Sequence, residues 1–168
     1  EVSAIAYREG YIPSFASTVS VNFVDPAIHG VDFAVYEGEW DERPPLEFTA
    51  PVSSGRIHGF AVGEIEKRED HVAIVFTSNL EIDAEGDYNF HATANDGCVL
   101  FLDERVVVDN AGYFGDKATT GTVHLQAGRH PVRVLYFENT GSESMDILME
   151  GPHTEKQPIP PYKLFLKE

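Results

Sequence analysis

Hydrophobic and polar residues alternate along most of this chain with a period of two, the spacing expected of β-strands that bury one face. Turn-forming residues such as Ala127-Gly128-Arg129 separate the alternating runs. The pattern predicts an all-β fold, an antiparallel β-sandwich or barrel with long loops and little helix. One or two helical turns are expected near residues 114–118. The clearest alternating apolar sets are Val72, Ile74, Phe76; Tyr88, Phe90, Ala92, Ala94; Val132, Val134, Tyr136; and Met145, Ile147, Met149.

The beginning of the chain differs from the rest. Residues 1–24 contain two strand-like stretches, which are too few strands to be stable alone. They are predicted to be strands appended from or to a neighbouring β module. Residues 25–30 are predicted to be a linker, and residues 31–168 the main β-sandwich domain.

Composition and charge narrow the possible partners. The chain has 168 residues, 42% of them hydrophobic, enough for a sizeable core. Its formal net charge of -16 repels nucleic acid and anionic membranes, whereas it suits divalent cations and neutral partners such as glycans. No apolar run approaches the roughly 20 residues of a membrane-spanning helix. A single cysteine, Cys98, excludes an intramolecular disulfide.

The loop Asn95-Asp96-Gly97 is the strongest candidate site. It lies between two predicted strands and places an amide oxygen beside a carboxylate. Hard oxygen donors of this kind bind calcium, and calcium can in turn bind sugar hydroxyls. The alternative is a tight turn in which the Asp96 carboxylate caps backbone N–H groups. The residues alone leave both interpretations open.

Several segments together resemble the protective antigen fourteen-kilodalton domain family, a β-sandwich module of bacterial glycosidases, adhesins and toxins. The resemblance covers residues 30–166. In addition, residues 5–14 are similar to the last strands of the chitobiase and hexosaminidase C-terminal β-sandwich. The family segments are 35–40, 49–55, 95–103, 107–110, 125–134 and 157–160.

The family resemblance implies specific site residues. Glycan-binding members hold calcium with two aspartates joined by a cis peptide bond, and the matching pair here is Asn95-Asp96. A cis bond is therefore expected between these residues, with weaker calcium binding because asparagine replaces the first carboxylate. Asn139, or alternatively Glu138, is the candidate metal ligand from the second loop.

Aromatic residues are the expected sugar contacts, because a pyranose ring has an apolar face. Tyr113 and Phe114 lie in a loop where a core role explains them poorly, so both are candidates together with Gly97. Trp40 is expected to be a core position instead.

The resemblance implies a non-catalytic carbohydrate-binding module, assisted by calcium, in a larger glycoside hydrolase or adhesin of a bacterium. A glycan or polysaccharide is the expected partner, and a catalytic domain of the same parent protein is another. The expected location is extracellular, at the cell surface or periplasmic. The alternative is a structural module that packs against a catalytic neighbour without a ligand of its own. An enzyme in its own right would require a cleft with two carboxylates at glycosidase separation.

Overall fold

Strands dominate the structure, as the alternation predicts. The computed structural model describes residues 2–19, 22–40, 43–46, 49–111 and 118–167. Short 3-10 turns at Val62–Glu64 and Pro161–Lys163 interrupt the strands. The all-β prediction is confirmed. The strands are β1 Val2–Ala4, β2 Ser17–Val19, β3 Val31–Glu37, β4 Ser53–Ile57, β5 Val72–Ile82, β6 Gly86–Ala94, β7 Gly97–Leu102, β8 Arg105–Asp109, β9 Thr119–Leu125, β10 Gly128–Glu138, β11 Met145–Gly151, β12 Thr154–Pro158 and β13 Leu164–Phe165.

Two antiparallel sheets form the body of the protein. The larger sheet has seven strands in the order β4-β3-β5-β10-β7-β8, with β13 also paired to β5. The smaller sheet has four strands in the order β12-β11-β6-β9. The longest pairing joins β5 and β10 over 11 residues each. These two strands form the centre of the larger sheet.

The main core lies between the two sheets. Successive side chains of a strand point to opposite faces, so every second residue of β5, β6, β10 and β11 is directed into this layer. Phe76 and Tyr136 of the larger sheet and Phe90 of the smaller one are fully buried there. The predicted alternating sets are therefore the inward sets.

A second, smaller core covers the outer face of the larger sheet. It consists of Ala73, Val99, Phe101, Leu135 and Phe137, which alternate with the inward residues of the same strands. The segment that follows β3 packs on this face through Trp40 and Leu46. Trp40, expected to be a core position, is half-buried and packs against this outer cluster rather than within the main core.

Residues 2–19 form a hairpin in which β1 pairs with β2, and among the described residues neither strand joins the two larger sheets. Its apolar side chains remain in solvent, with Ile12 94% and Phe15 98% exposed. Residues 28–30, part of the predicted linker, hydrogen-bond to residues 164–166 near the chain end. No helix in the described ranges is long and apolar enough to cross a membrane. The helical turn expected near residues 114–118 falls largely outside those ranges.

Candidate functional site

Two loops that cross between the sheets meet at one end of the sandwich. Asn95 and Asp96 connect β6 of the smaller sheet to β7 of the larger one, and residues 139–144 connect β10 to β11. Both loops lie at the same end because β7 pairs with β10 and β6 pairs with β11. Phe137 is opposite Gly97, and Met145 is opposite Ala94.

The Asp96 carboxylate joins the two loops. Its Oδ2 accepts hydrogen bonds from the backbone N–H of Asn139 at 2.5 Å and of Thr140 at 3.2 Å. The backbone N–H of Asn95 donates to the Ser144 carbonyl at 3.2 Å. Asp96 is only 5% exposed, so these bonds satisfy a carboxylate that is otherwise removed from water. The capping role considered from the sequence is therefore present.

The Asn95–Asp96 peptide bond is trans, so the expectation of a cis bond is wrong. A trans bond is the lower-energy form for a residue other than proline. In this conformation Asp96 already reaches the amides of the opposite loop, and the loop needs no cis bond to close.

Gly97 serves packing at this site. It is buried, and a Cβ at this position would lie 2.3 Å from Cζ of Phe137. The missing side chain thus allows the Phe137 ring to lie against the beginning of β7. The structure places Gly97 beneath the ring, whereas Asn95 is half-buried and Asp96 buried within the loop.

Asn139 is held from both sides. Its Oδ1 lies 2.9 Å from Nδ1 of His71, and its backbone carbonyl accepts a hydrogen bond from the His71 N–H at 3.0 Å. The next part of the loop is fixed as well, because the Gly141 N–H donates to Asp70 at 3.2 Å. The side-chain oxygen of Asn139 therefore already has a partner at the beginning of β5.

Glu138 is a buried carboxylate that can still accept a hydrogen bond or bind a cation. It is 1% exposed, and Oε2 accepts a hydrogen bond from the Tyr136 hydroxyl at 3.1 Å. Its Oε1 is buried, and no donor among the described residues reaches it. Burial, reinforced by the negative charge of Asp96, raises the pKa of Glu138 to about 7. A buried carboxylate with an unpaired oxygen next to a second carboxylate would be stabilised by a cation.

The donor chemistry of these loops suits calcium. Asp96 and Glu138 supply carboxylate oxygens, and Asn95 adds an amide oxygen, all hard donors that calcium prefers. Within the described ranges, no three side chains among histidine, cysteine, aspartate and glutamate are grouped to hold a metal ion. Calcium here would also require backbone carbonyls, amide oxygens or water.

The sequence predicts Asn139 as the metal ligand of the second loop, with Glu138 as the alternative. In the structure the Asn139 side-chain oxygen is paired with His71, whereas Glu138 keeps an unpaired oxygen among the described residues. The signal for Glu138 was the alternation of β10, because Glu138 is two residues beyond the inward-facing Tyr136. A carboxylate in phase with an apolar inward set is buried by the strand geometry.

The two predicted aromatic contacts belong to the connection between β8 and β9. Tyr113 and Phe114 are outside the described residues. The chain before them is anchored by Asn110, whose N–H donates to the Cys98 carbonyl at 2.9 Å and whose side chain accepts from Thr119.

Burial raises the pKa of Cys98 to about 12, so its thiol stays protonated and unreactive.

Comparisons of the sequence and of the structure with known proteins agree on one family and one fold. The family model described as "PA14 domain" matches residues 35–158. A curated relative, anti-sigma-I factor RsgI3 of Acetivibrio thermocellus, is 24% identical over 108 residues, which are 63% of this chain and 16% of the relative. The chain thus spans about a sixth of that protein's length.

Two solved structures share the fold over most of the chain. A structure titled as the PA14 sugar-binding domain from RTX adhesin has a TM-score of 0.67 at 16% identity, covering 83% of this chain and 99% of its own. The Epithelial Adhesin 9 A domain from Candida glabrata in complex with Galb1-4GlcNAc has a TM-score of 0.62 at 11% identity, covering 82% and 88% respectively. Both contain the same sandwich, and one was solved with a sugar bound.

Proposed function

Because the chain belongs to the PA14 domain family, we propose that it is a non-catalytic carbohydrate-binding module whose glycan site is formed by loops 95–96 and 139–144 together with Glu138 at the end of β10. The observation that carries the proposal is the pair of hydrogen bonds from Asn139 and Thr140 to Asp96, which holds the two inter-sheet loops together as one surface. The sugar-bound adhesin domain with the same fold supports it.

Calcium is proposed as a participant at this surface. The support is chemical: Glu138 Oε1 is buried and has no partner among the residues that the structure describes, and the Asp96 carboxylate is near enough to add to the effect of burial in raising the pKa of Glu138. With asparagine at position 95, the loops contain fewer negative charges than a pair of aspartates would provide, so we expect weak calcium binding. Asn95 and Asn139 are proposed as amide ligands, the latter after release from His71.

Tyr113 and Phe114 are proposed as the aromatic residues that stack on the sugar. The anchored position of Asn110 places the beginning of their loop next to β7, the strand that follows Asp96. Stacking on an apolar sugar face would add affinity without requiring a charged ligand.

Calorimetry with a panel of neutral glycans, with calcium and with chelator, tests the glycan assignment.

Melting curves test the metal: calcium should raise the melting temperature of the wild type, and Glu138→Gln and Asp96→Ala should abolish that increase. The readout is the difference between calcium and chelator, because Asp96→Ala also removes structural hydrogen bonds. Asp109→Ala, which removes an exposed carboxylate at the last residue of β8, is the matched control. Absence of binding to every glycan in both conditions would contradict the proposal.

A second candidate function is a contact module within a larger protein, such as a glycoside hydrolase or adhesin that acts outside the cell or in the periplasm. The observation that favours it is the exposed hairpin, in which Tyr7, Ile12 and Phe15 are at least 75% exposed. Apolar side chains clustered in this way are typical of surfaces covered by a partner. Hydrogen exchange tests it: amides of residues 2–19 should be protected in the longer parent chain and exchange rapidly in the isolated chain.

A further inference from the structure

Two arginines meet on the outer face of the larger sheet, far from the loop site. The guanidinium carbon of Arg133 lies 3.9 Å from the ring centroid of Phe101, and that of Arg43 lies 4.8 Å from the same centroid. The two cationic groups are therefore less than about 9 Å apart. Phe101 is 3% exposed, so its ring is held in place by the surrounding core and both guanidinium groups pack on it.

Neither guanidinium has a carboxylate partner within the described part of the chain. Other arginines of this acidic protein do: Arg56 lies 3.0 Å from Asp32, and Arg68 lies 3.5 Å from Glu37. Stacking on an aromatic ring uses the face of a guanidinium and leaves its N–H edges available. Each such edge is a fork that matches a carboxylate, so two guanidinium groups at one place can bind the same acidic group.

Among the described residues, this place carries positive charge on an otherwise acidic molecule. The chain has a formal net charge of -16, yet here two cations lie close together without a compensating acid within the described ranges. Like charges at this separation repel each other. An anion bound between the two guanidinium groups would be attracted to both and would offset their mutual repulsion. The site should therefore select negative ligands.

A cavity of about 180 Å³ adjoins the two arginines. Tyr36, Leu46, Val75 and Leu135 line it together with Arg43 and Arg133. Pockets for drug-sized ligands have volumes of roughly 300–1,000 Å³, so this one suits a ligand with a single ring. Its apolar walls fit the face of such a ring, and its arginines fit an attached acidic group.

The geometry points to a second binding site, in which Arg43 and Arg133 hold the carboxylate of a small ring-shaped ligand whose body lies against Leu46, Val75 and Leu135. A uronic-acid residue of an acidic glycan and an aromatic carboxylate share this chemistry. Arg133 is six residues from Asn139 along β10, roughly 20 Å in a strand, and its side chain points to the outer face. The site therefore does not use the residues of the Asp96 loops.

The test is a nuclear magnetic resonance titration of the whole chain at low ionic strength, following the amides of Val75 and Leu135. The probes are glucuronate, its neutral counterpart glucose, benzoate and inorganic sulfate. Glucuronate, benzoate or both should shift these amides, and glucose should not. Arg43→Gln and Arg133→Gln should each raise the dissociation constant by about tenfold or more, equivalent to about 1.4 kcal/mol.

Arg129→Gln is the matched control, because it removes the same charge from β10 at a position that pairs with Glu81. It should change the dissociation constant by less than about twofold, since a distant exposed charge is screened. Arg133→Lys retains the charge and should bind with intermediate affinity because it lacks the planar fork. If Arg133→Gln does not fold, the exposed Arg43 carries the test.

Three results would overturn the inference: equal shifts with glucose and glucuronate, binding unaffected by Arg43→Gln, or a response to sulfate alone. Chelator in the sample should leave the titration unchanged. Failure of the calcium-dependent glycan site would therefore be distinguishable from failure of this one.

Discussion

Asp96 and Asn139, 43 residues apart in sequence, are joined by a hydrogen bond of 2.5 Å from the Asn139 backbone N–H to the Asp96 carboxylate. The bond connects the loop between β6 and β7 to the loop between β10 and β11. Because each loop crosses from one sheet to the other, this contact closes one end of the sandwich. The same carboxylate thus serves the fold and the proposed ligand surface.

Removing this carboxylate is expected to destabilise the protein. Asp96→Ala leaves the N–H groups of Asn139 and Thr140 without their acceptor, at a cost of about 1–3 kcal/mol in unfolding free energy. Asp96→Asn retains an oxygen acceptor and should cost less. Urea unfolding with chelator present measures both. Asp109→Ala loses one exposed bond to the Ala111 N–H and should cost under about 1 kcal/mol, so equal losses at the two positions would count against this account.

Strand positions were predictable from the sequence where a strand buries one face in the main core, because its apolar and polar residues then alternate. Tyr88, Phe90, Ala92 and Ala94 alternate with polar residues, and all four are buried between the sheets. The connection at positions 95–96 follows directly from the end of that run. Local periodicity thus gives both the strand and the place of the loop.

Long-range contacts were not predictable in the same way. The outer core residues Phe101, Leu135 and Phe137 occupy the alternate positions of strands buried on both faces, where periodicity carries no signal. The convergence of Arg43 and Arg133 on Phe101 likewise depends on which strands pair. The expected cis bond failed because it was inferred from a pair of aspartates, and the first of them is Asn95 here.

A glycine on β9 tests the packing of β9 against the strand before it. A Cβ on Gly121 would lie 1.8 Å from the backbone carbonyl oxygen of Val107, an atom that cannot move without displacing β8. Gly121→Ala should therefore lower the free energy of unfolding by about 3 kcal/mol or more, the upper range for overpacking. Gly59→Ala has nothing within 4 Å of the new methyl group and should leave stability within about 0.5 kcal/mol. Similar denaturation midpoints for the two variants would refute the close approach.

Stability should depend on pH through His130. Its Nδ1 lies 2.8 Å from Asp103 and its Nε2 2.9 Å from the Gln126 carbonyl, so the imidazolium can donate to both. Partial burial alone would lower the pKa of His130, but these two bonds raise it overall. The folded-state pKa is thus above the unfolded value of about 6.5. The stabilisation is complete below that value and is lost as pH rises through the folded-state pKa.

The comparison that isolates His130 is the difference in unfolding free energy between wild type and His130→Gln across this pH range. The wild type should have its largest advantage in mildly acidic solution and lose it in alkaline solution. Asp103→Asn should remove most of the pH dependence without removing the histidine. An advantage that grows with pH would show that the sign is wrong.

The hairpin turn between β7 and β8 offers a stabilising substitution. Asp103 and Glu104 are its two loop residues, and both have positive φ angles, 48° and 62°. A left-handed conformation costs about 1–2 kcal/mol for a residue with a Cβ, and glycine avoids this cost while losing more chain entropy on folding. Glu104→Gly should therefore raise the free energy of unfolding by about 0.5–1 kcal/mol, as an Asp-Gly turn favours this hairpin type. Glu104→Ala removes the same negative charge but keeps a Cβ, so an equal gain in both variants would assign the effect to charge rather than to backbone conformation.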